Sequence, residues 1–89
     1  MTDRMKEFKY TIKDEVGLHA RPAGLLVKEA KKYSSKITIC ANGKCSEATK
    51  LMAVMAMGIK QGQEVTVTIE GEDEAVAEQE LKEFFMSSL

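Results

Sequence analysis

The 89-residue chain contains no tryptophan, one proline, one histidine and two cysteines. Each scarcity excludes something. No stretch approaches the ~18 consecutive apolar residues of a membrane-spanning helix, so membrane insertion is not expected. The opening MTDRMKEFKY lacks the apolar middle of a secretory signal, which predicts a cytoplasmic protein. Cys40 and Cys45 are too few and too close for a secreted disulfide scaffold. A single histidine with two distant thiols is an incomplete ligand set, so neither a metal nor a cofactor is expected. There is no nucleophile elbow of the kind a serine hydrolase needs. A net charge of −1 offers no general attraction to nucleic acid, so any basic docking feature must be local.

What is present reads as one small folded domain and a monomer. Hydrophobic residues make up 44% and charged residues 30%, a balance that favours a packed core over disorder. Residues 1–5 are polar and expected to be loose, with Met5 an alternative start, and the domain occupies 6–89. EFKYTIK alternates from Glu7, with Phe8, Tyr10 and Ile12 on one face of a strand. Residues 20–32 carry Ala23, Leu26, Val27 and Ala30 at helical spacing. Ile37 and Ile39 alternate ahead of Asn42-Gly43, a strong signal for a two-residue hairpin turn. Residues 50–57 suit a short helix ended by Gly58. EVTVTIE, 64–70, is a strand with valine and isoleucine on one face and threonine on the other. Asp73 is placed as N-cap of a last helix whose buried stripe is Ala77, Leu81, Phe84 and Phe85. The order βαββαβα predicts an α+β fold: a two-layer open-faced sandwich with a four-stranded antiparallel sheet and three helices on one face.

The lone histidine and lone proline lie three residues apart in Gly17-Leu18-His19-Ala20-Arg21-Pro22-Ala23-Gly24. A helix starting at Ala20 makes His19 its N-cap and puts Pro22 in the first turn, where a missing N–H costs no helical bond. Free amides and the positive helix end then lie beside the imidazole. Imidazole is a nucleophile near neutral pH. Arg21 and the amide of Ala20 could bind the oxygens of a phosphoryl group added there. On spacing alone the plainer alternative stands beside this one: His19 a capping residue and Arg21 a solvated side chain.

The segment GLHARPA, Gly17 to Ala23, resembles the phosphorylation-site motif of the HPr family. The likeness continues through Leu51–Gly58, Gly62 and Glu70–Glu74, and covers the chain after Met5. It implies the open-faced sandwich, a phosphoryl group on Nδ1 of His19, and Arg21 as the arginine accompanying it. It further implies enzyme I as donor, charged from phosphoenolpyruvate, and sugar-specific enzyme IIA domains as acceptors. Such a protein is a phosphorylated intermediate of group transfer more than a stand-alone enzyme. Two alternatives remain: a regulatory module that docks without passing phosphate, and a carrier in a nitrogen-related or other non-sugar chain.

Helix geometry offers a docking surface. Ala20, Gly24, Lys28 and Lys31 lie along one side of the first helix. Leu51, Met52 and Met55 lie together on the second, with Val54 turned inward. Methionine tolerates partners of different shape, although Met52, Met55 and Met57 could equally fill core gaps. HPr proteins use the corresponding surface for their partners. The family's regulatory serine, which caps the second helix in many Gram-positive bacteria, aligns with Lys50, which has no hydroxyl to phosphorylate. Gly24 stands where alanine is common. Finally, the Asn42-Gly43 turn sets Cys40 opposite Cys45 on the exposed sheet face, and two free thiols are expected in a reducing cytoplasm.

Overall fold

The strand EVTVTIE organises the sheet. Val65, Val67 and Ile69 are buried while Thr66 and Thr68 are half-buried on the other face, so both edges of this strand can take a neighbour. In the computed structural model, which describes residues 5–89, the elements are β1 (Met5–Thr11), α1 (Ala20–Ala30), β2 (Lys36–Ala41), β3 (Lys44–Glu47), α2 (Leu51–Ala56), β4 (Glu64–Glu70) and α3 (Glu74–Ser88). The sheet order is β1-β4-β2-β3, antiparallel throughout. Three helices on one face complete the expected α+β open-faced sandwich, and the buried side chains form one cluster. No helix among the described residues is long and apolar enough to cross a membrane.

Differences from the sequence expectation lie mostly at ends. β1 begins at Met5, which pairs with Glu70, so the last residue of the expected loose segment belongs to the ladder. The rest of that segment, residues 1–4, lies outside the described residues. α1 stops at Ala30 rather than 32, and α2 spans Leu51–Ala56 inside the expected 50–57. Arg21 is helical despite preceding a proline. Phe84 is only half-buried, whereas Ala77, Leu81 and Phe85 are fully buried. The Phe85 ring receives Phe8 and Tyr10 edge-on, each with centroids 5.6 Å away, and so ties α3 to β1. Truncating such a ring to alanine costs about 3–5 kcal/mol.

Asp73 departs in a more instructive way. It precedes α3 but makes no side-chain cap bond. Its carboxylate instead accepts from the backbone amides of Ser34 (2.9 Å) and Ser35 (3.0 Å) and from the Ser35 hydroxyl. The chain after α1 is thereby clasped to the start of α3. The hydroxyl, then the Ser34 amide, hold the Asp73 carboxyl below its ordinary value. Gly71 makes the clasp possible, since a Cβ there would come within 2.6 Å of the Ser35 Cα.

The hairpin follows the sequence closely. Asn42 and Gly43 both take positive φ, Ala41 pairs with Lys44, and Cys40 pairs with Cys45 on the open face. The expectation of free thiols is not met: Cys40 and Cys45 form a disulfide, with Cα atoms 4.0 Å apart. Paired strand positions that exchange no backbone hydrogen bonds bring Cα atoms closest, and the second pair from a two-residue turn is such a position.

Candidate functional site

The loop before α1 is fixed through its backbone. Gly17 adopts φ +82°, and a Cβ at this residue would lie 2.5 Å from the Ile59 carbonyl oxygen and 2.8 Å from the Lys60 Cα. Only glycine allows the two segments to touch here. The next amide, Leu18, donates to that Ile59 oxygen at 2.9 Å, and the Leu18 side chain is buried. Further back, Ile12 N–H donates to Gln63, and Lys13 and Asp14 N–H both donate to the Leu89 carbonyl oxygen. His19 therefore leaves a tightly held backbone.

Its side chain is the opposite. His19 is the N-cap of α1 with extended backbone angles and no capping bond from its ring. It is exposed, and its ring makes no hydrogen bond among the described residues. The Ala23 amide is used on the His19 carbonyl (2.9 Å) and Pro22 has none, which leaves the amides of Ala20 and Arg21 without a helical partner. No acidic residue stands in the first turn to compete for them. Arg21 is exposed and free of any ion pair among the described residues. The site is thus short of negative charge and has unspent donors, an arrangement suited to an anion on the ring.

A shallow groove of about 320 Å³ runs past the imidazole, lined by Val16, Leu18, His19, Ala20, Met55, Gly58, Ile59 and Lys60. It joins the start of α1 to α2, which brings His19 and Met55 together. Five liners were not anticipated: Val16, Leu18, Gly58, Ile59 and Lys60. Val16 is 67% exposed, and an apolar residue in the otherwise polar turn KDEVG is the signal that could have marked it. Among the described residues, no group of acidic, histidine and cysteine side chains could hold a metal ion.

Comparison with known proteins decides the family. Residues 6–87 match the family model described as the PTS HPr component phosphorylation site. The chain belongs to the HPr family. The phosphocarrier protein HPr of Mycoplasma capricolum is 51% identical over 79 residues, covering 89% of each chain. A solved structure of a mycoplasma histidine-containing phosphocarrier protein superposes with a TM-score of 0.89 at 48% identity, covering 92% of this chain and 93% of that one. An HPr structure from Thermoanaerobacter tengcongensis gives 0.88 at 40% identity and 93% of both chains. A structure of that organism's HPr dimer gives 0.73 at 40% identity, covering 92% of this chain and 94% of that one. HPr proteins are phosphocarriers of the phosphotransferase system, and this chain is one of them.

The remaining predicted positions fall around the HPr site unevenly. Ala20, Lys28 and Lys31 are exposed and Gly24 is half-buried, with open space where a Cβ would stand. Lys28 lies two turns, about 12 Å, along α1 from Ala20, so it and Lys31 are beyond the groove. On α2, Met52 is 76% exposed and Leu51 39%, whereas Met55 is half-buried against the core. Val54 and Met57 are buried. Exposure separates the two methionine readings residue by residue: Met57 is core, and Met52 is surface. Lys50 is the N-cap of α2 and makes no side-chain cap bond.

Proposed function

We propose that His19 is the residue that carries the phosphoryl group. A ring nitrogen, Nδ1 by likeness to the family, attacks the phosphorus of phosphorylated enzyme I. A P–N bond forms as the donor's bond to phosphorus breaks, and the reverse exchange passes the group to an enzyme IIA domain in sugar uptake. The added group brings about two negative charges. The amides of Ala20 and Arg21 and the Arg21 guanidinium receive them. Because these donors stand at the surface, water competes with them and the group stays transferable. The reading rests on one observation above all: an exposed imidazole, free of any hydrogen bond among the described residues, beside two unspent helix amides.

Both partners dock over the same face. Ala20, Gly24, Leu51, Met52 and Met55 form its apolar centre, with Lys28 and Lys31 at the rim to speed encounter with acidic surfaces. Met52 supplies adaptable contact. The protein acts as a cytoplasmic monomer, its working domain being 6–89. With Lys50 at the serine position, it lacks kinase control through that site. A non-sugar phosphotransferase chain is the other reading that Lys50 favours, and acceptor pull-down separates the two.

The test is phosphorylation by purified enzyme I and phosphoenolpyruvate. The intact mass should rise by about 80 Da, the mark should be acid-labile, and it should be absent from His19→Ala. A mark that persists in that variant refutes the assignment.

A further inference from the structure

The disulfide sits in the part of the molecule least able to hold itself. β3 is an edge strand of four residues, none of them buried, and it pairs with β2 alone. By contrast β2 is flanked on its far side by β4 and buries Ile37, Ile39 and Ala41. The Cys40–Cys45 bridge is the covalent tie between the two. Its sulfurs are unequal: Cys45 is exposed and Cys40 half-buried. Cys45 also lines an open groove of about 760 Å³, together with Lys36, Thr38, Lys44 and Glu47. Beyond β3 only Ala48, Thr49 and Lys50 intervene before α2.

We propose that Cys40–Cys45 is a reversible thiol–disulfide exchange site, reduced by a dithiol in the folded protein, whose state sets how firmly β3 is held. A thiolate of the reductant attacks the exposed Cys45 sulfur, the S–S bond breaks, and Cys40 leaves as a thiolate. The second thiol of the reductant then attacks the mixed disulfide and releases Cys45. Two electrons and two protons pass to the protein, and the reductant departs as its own disulfide. Access from the groove favours this course. In the reduced form β3 keeps its turn and its short ladder but no buried anchor of its own, so its amides open more often. The buried Ala48, whose amide donates to the Ile37 carbonyl oxygen at 2.9 Å, limits the loosening to 44–47. This inference is independent of phosphoryl transfer by His19.

The experiment uses the full chain in native buffer. Without reductant, iodoacetamide should add nothing to the intact mass; after dithiothreitol it should add two groups; a reduced sample treated with oxidised glutathione before labelling should again take up none. Hydrogen exchange should show the amides of 44–47 opening about tenfold faster in the reduced protein. Those of β4 should be unchanged, and Cys40→Ser/Cys45→Ser should match the reduced pattern. Labelling before any reductant is added, reduction that requires urea, or identical exchange of 44–47 in both states would each overturn the proposal.

Discussion

The two ends of α1 are built on opposite economies of hydrogen bonding. At its start the backbone is pinned by Gly17, Leu18 and Ile59, while the side chains of His19 and Arg21 have no hydrogen bond or ion pair among the described residues. Past its end, side chains do the holding: Asp73 collects three donors from Ser34 and Ser35, and the Tyr33 hydroxyl donates to Glu29 at 2.9 Å. Burial, then that bond to Glu29, raises the Tyr33 pKa above its ordinary value. A group that must accept and release a ligand has to keep its donors and acceptors uncommitted, and the fold meets this by placing the fixed contacts one residue upstream. At the other end nothing needs to be released, and Asp73, Ser35 and Tyr33 are all committed.

This contrast can be broken in stages. His19→Ala should abolish phosphoryl acceptance entirely and leave the thermal midpoint nearly unchanged, because the exposed ring makes no hydrogen bond among the described residues; mass spectrometry with a melting curve reads both. Gly17→Val should instead injure fold and function together. It forces a branched Cβ against the Ile59 carbonyl at positive φ, costing about 1–3 kcal/mol in urea unfolding and slowing phosphorylation as the loop shifts. Arg21→Ala should slow acceptance by about tenfold, one charge-assisted contact's worth, without altering stability.

Asp73→Asn sharpens the other side. A carboxyl held low in the folded chain stabilises it above the unfolded value of 3.8, and that contribution drains away as pH falls through the folded value. The variant should therefore be the less stable protein at neutral pH, the gap should narrow on acidification below about pH 4, and phosphorylation should be untouched. Urea midpoints across that range provide the check. The smallest effect is a gain: Gly24→Ala meets open space and should add up to about 1 kcal/mol to stability through helix propensity.

What was legible in the sequence follows the reach of each interaction. The alternation of Phe8 and Tyr10, and of Val65, Val67 and Ile69, located their strands because the pattern is local. Asn42-Gly43 likewise set the hairpin register down to the Cys40–Cys45 pair. The start of α1 at Ala20 was readable from Pro22 in the first turn and His19 ahead of it. What escaped notice spans the chain. The approach of Gly17 to Ile59, and the turn of Asp73 away from its own helix towards Ser35, join residues about 40 apart. Local propensity predicts that Asp73 caps; a nearby pair of serine amides outbids it. The oxidation of the cysteines was missed for another reason: register shows that two thiols face each other, not whether they have lost their hydrogens.

The strand order carries a consequence for how the molecule is made. β4 is the last strand in the chain yet lies between β1 and β2, so during synthesis β1 has no neighbour to pair with until residue 70 has emerged. The anchors of the loop before α1, at Ile59 and Gln63, arrive equally late. A nascent chain stopped before β4 would span two helices and a hairpin but no continuous sheet. The sheet behind the loop before α1 is therefore continuous only once β4 has been made.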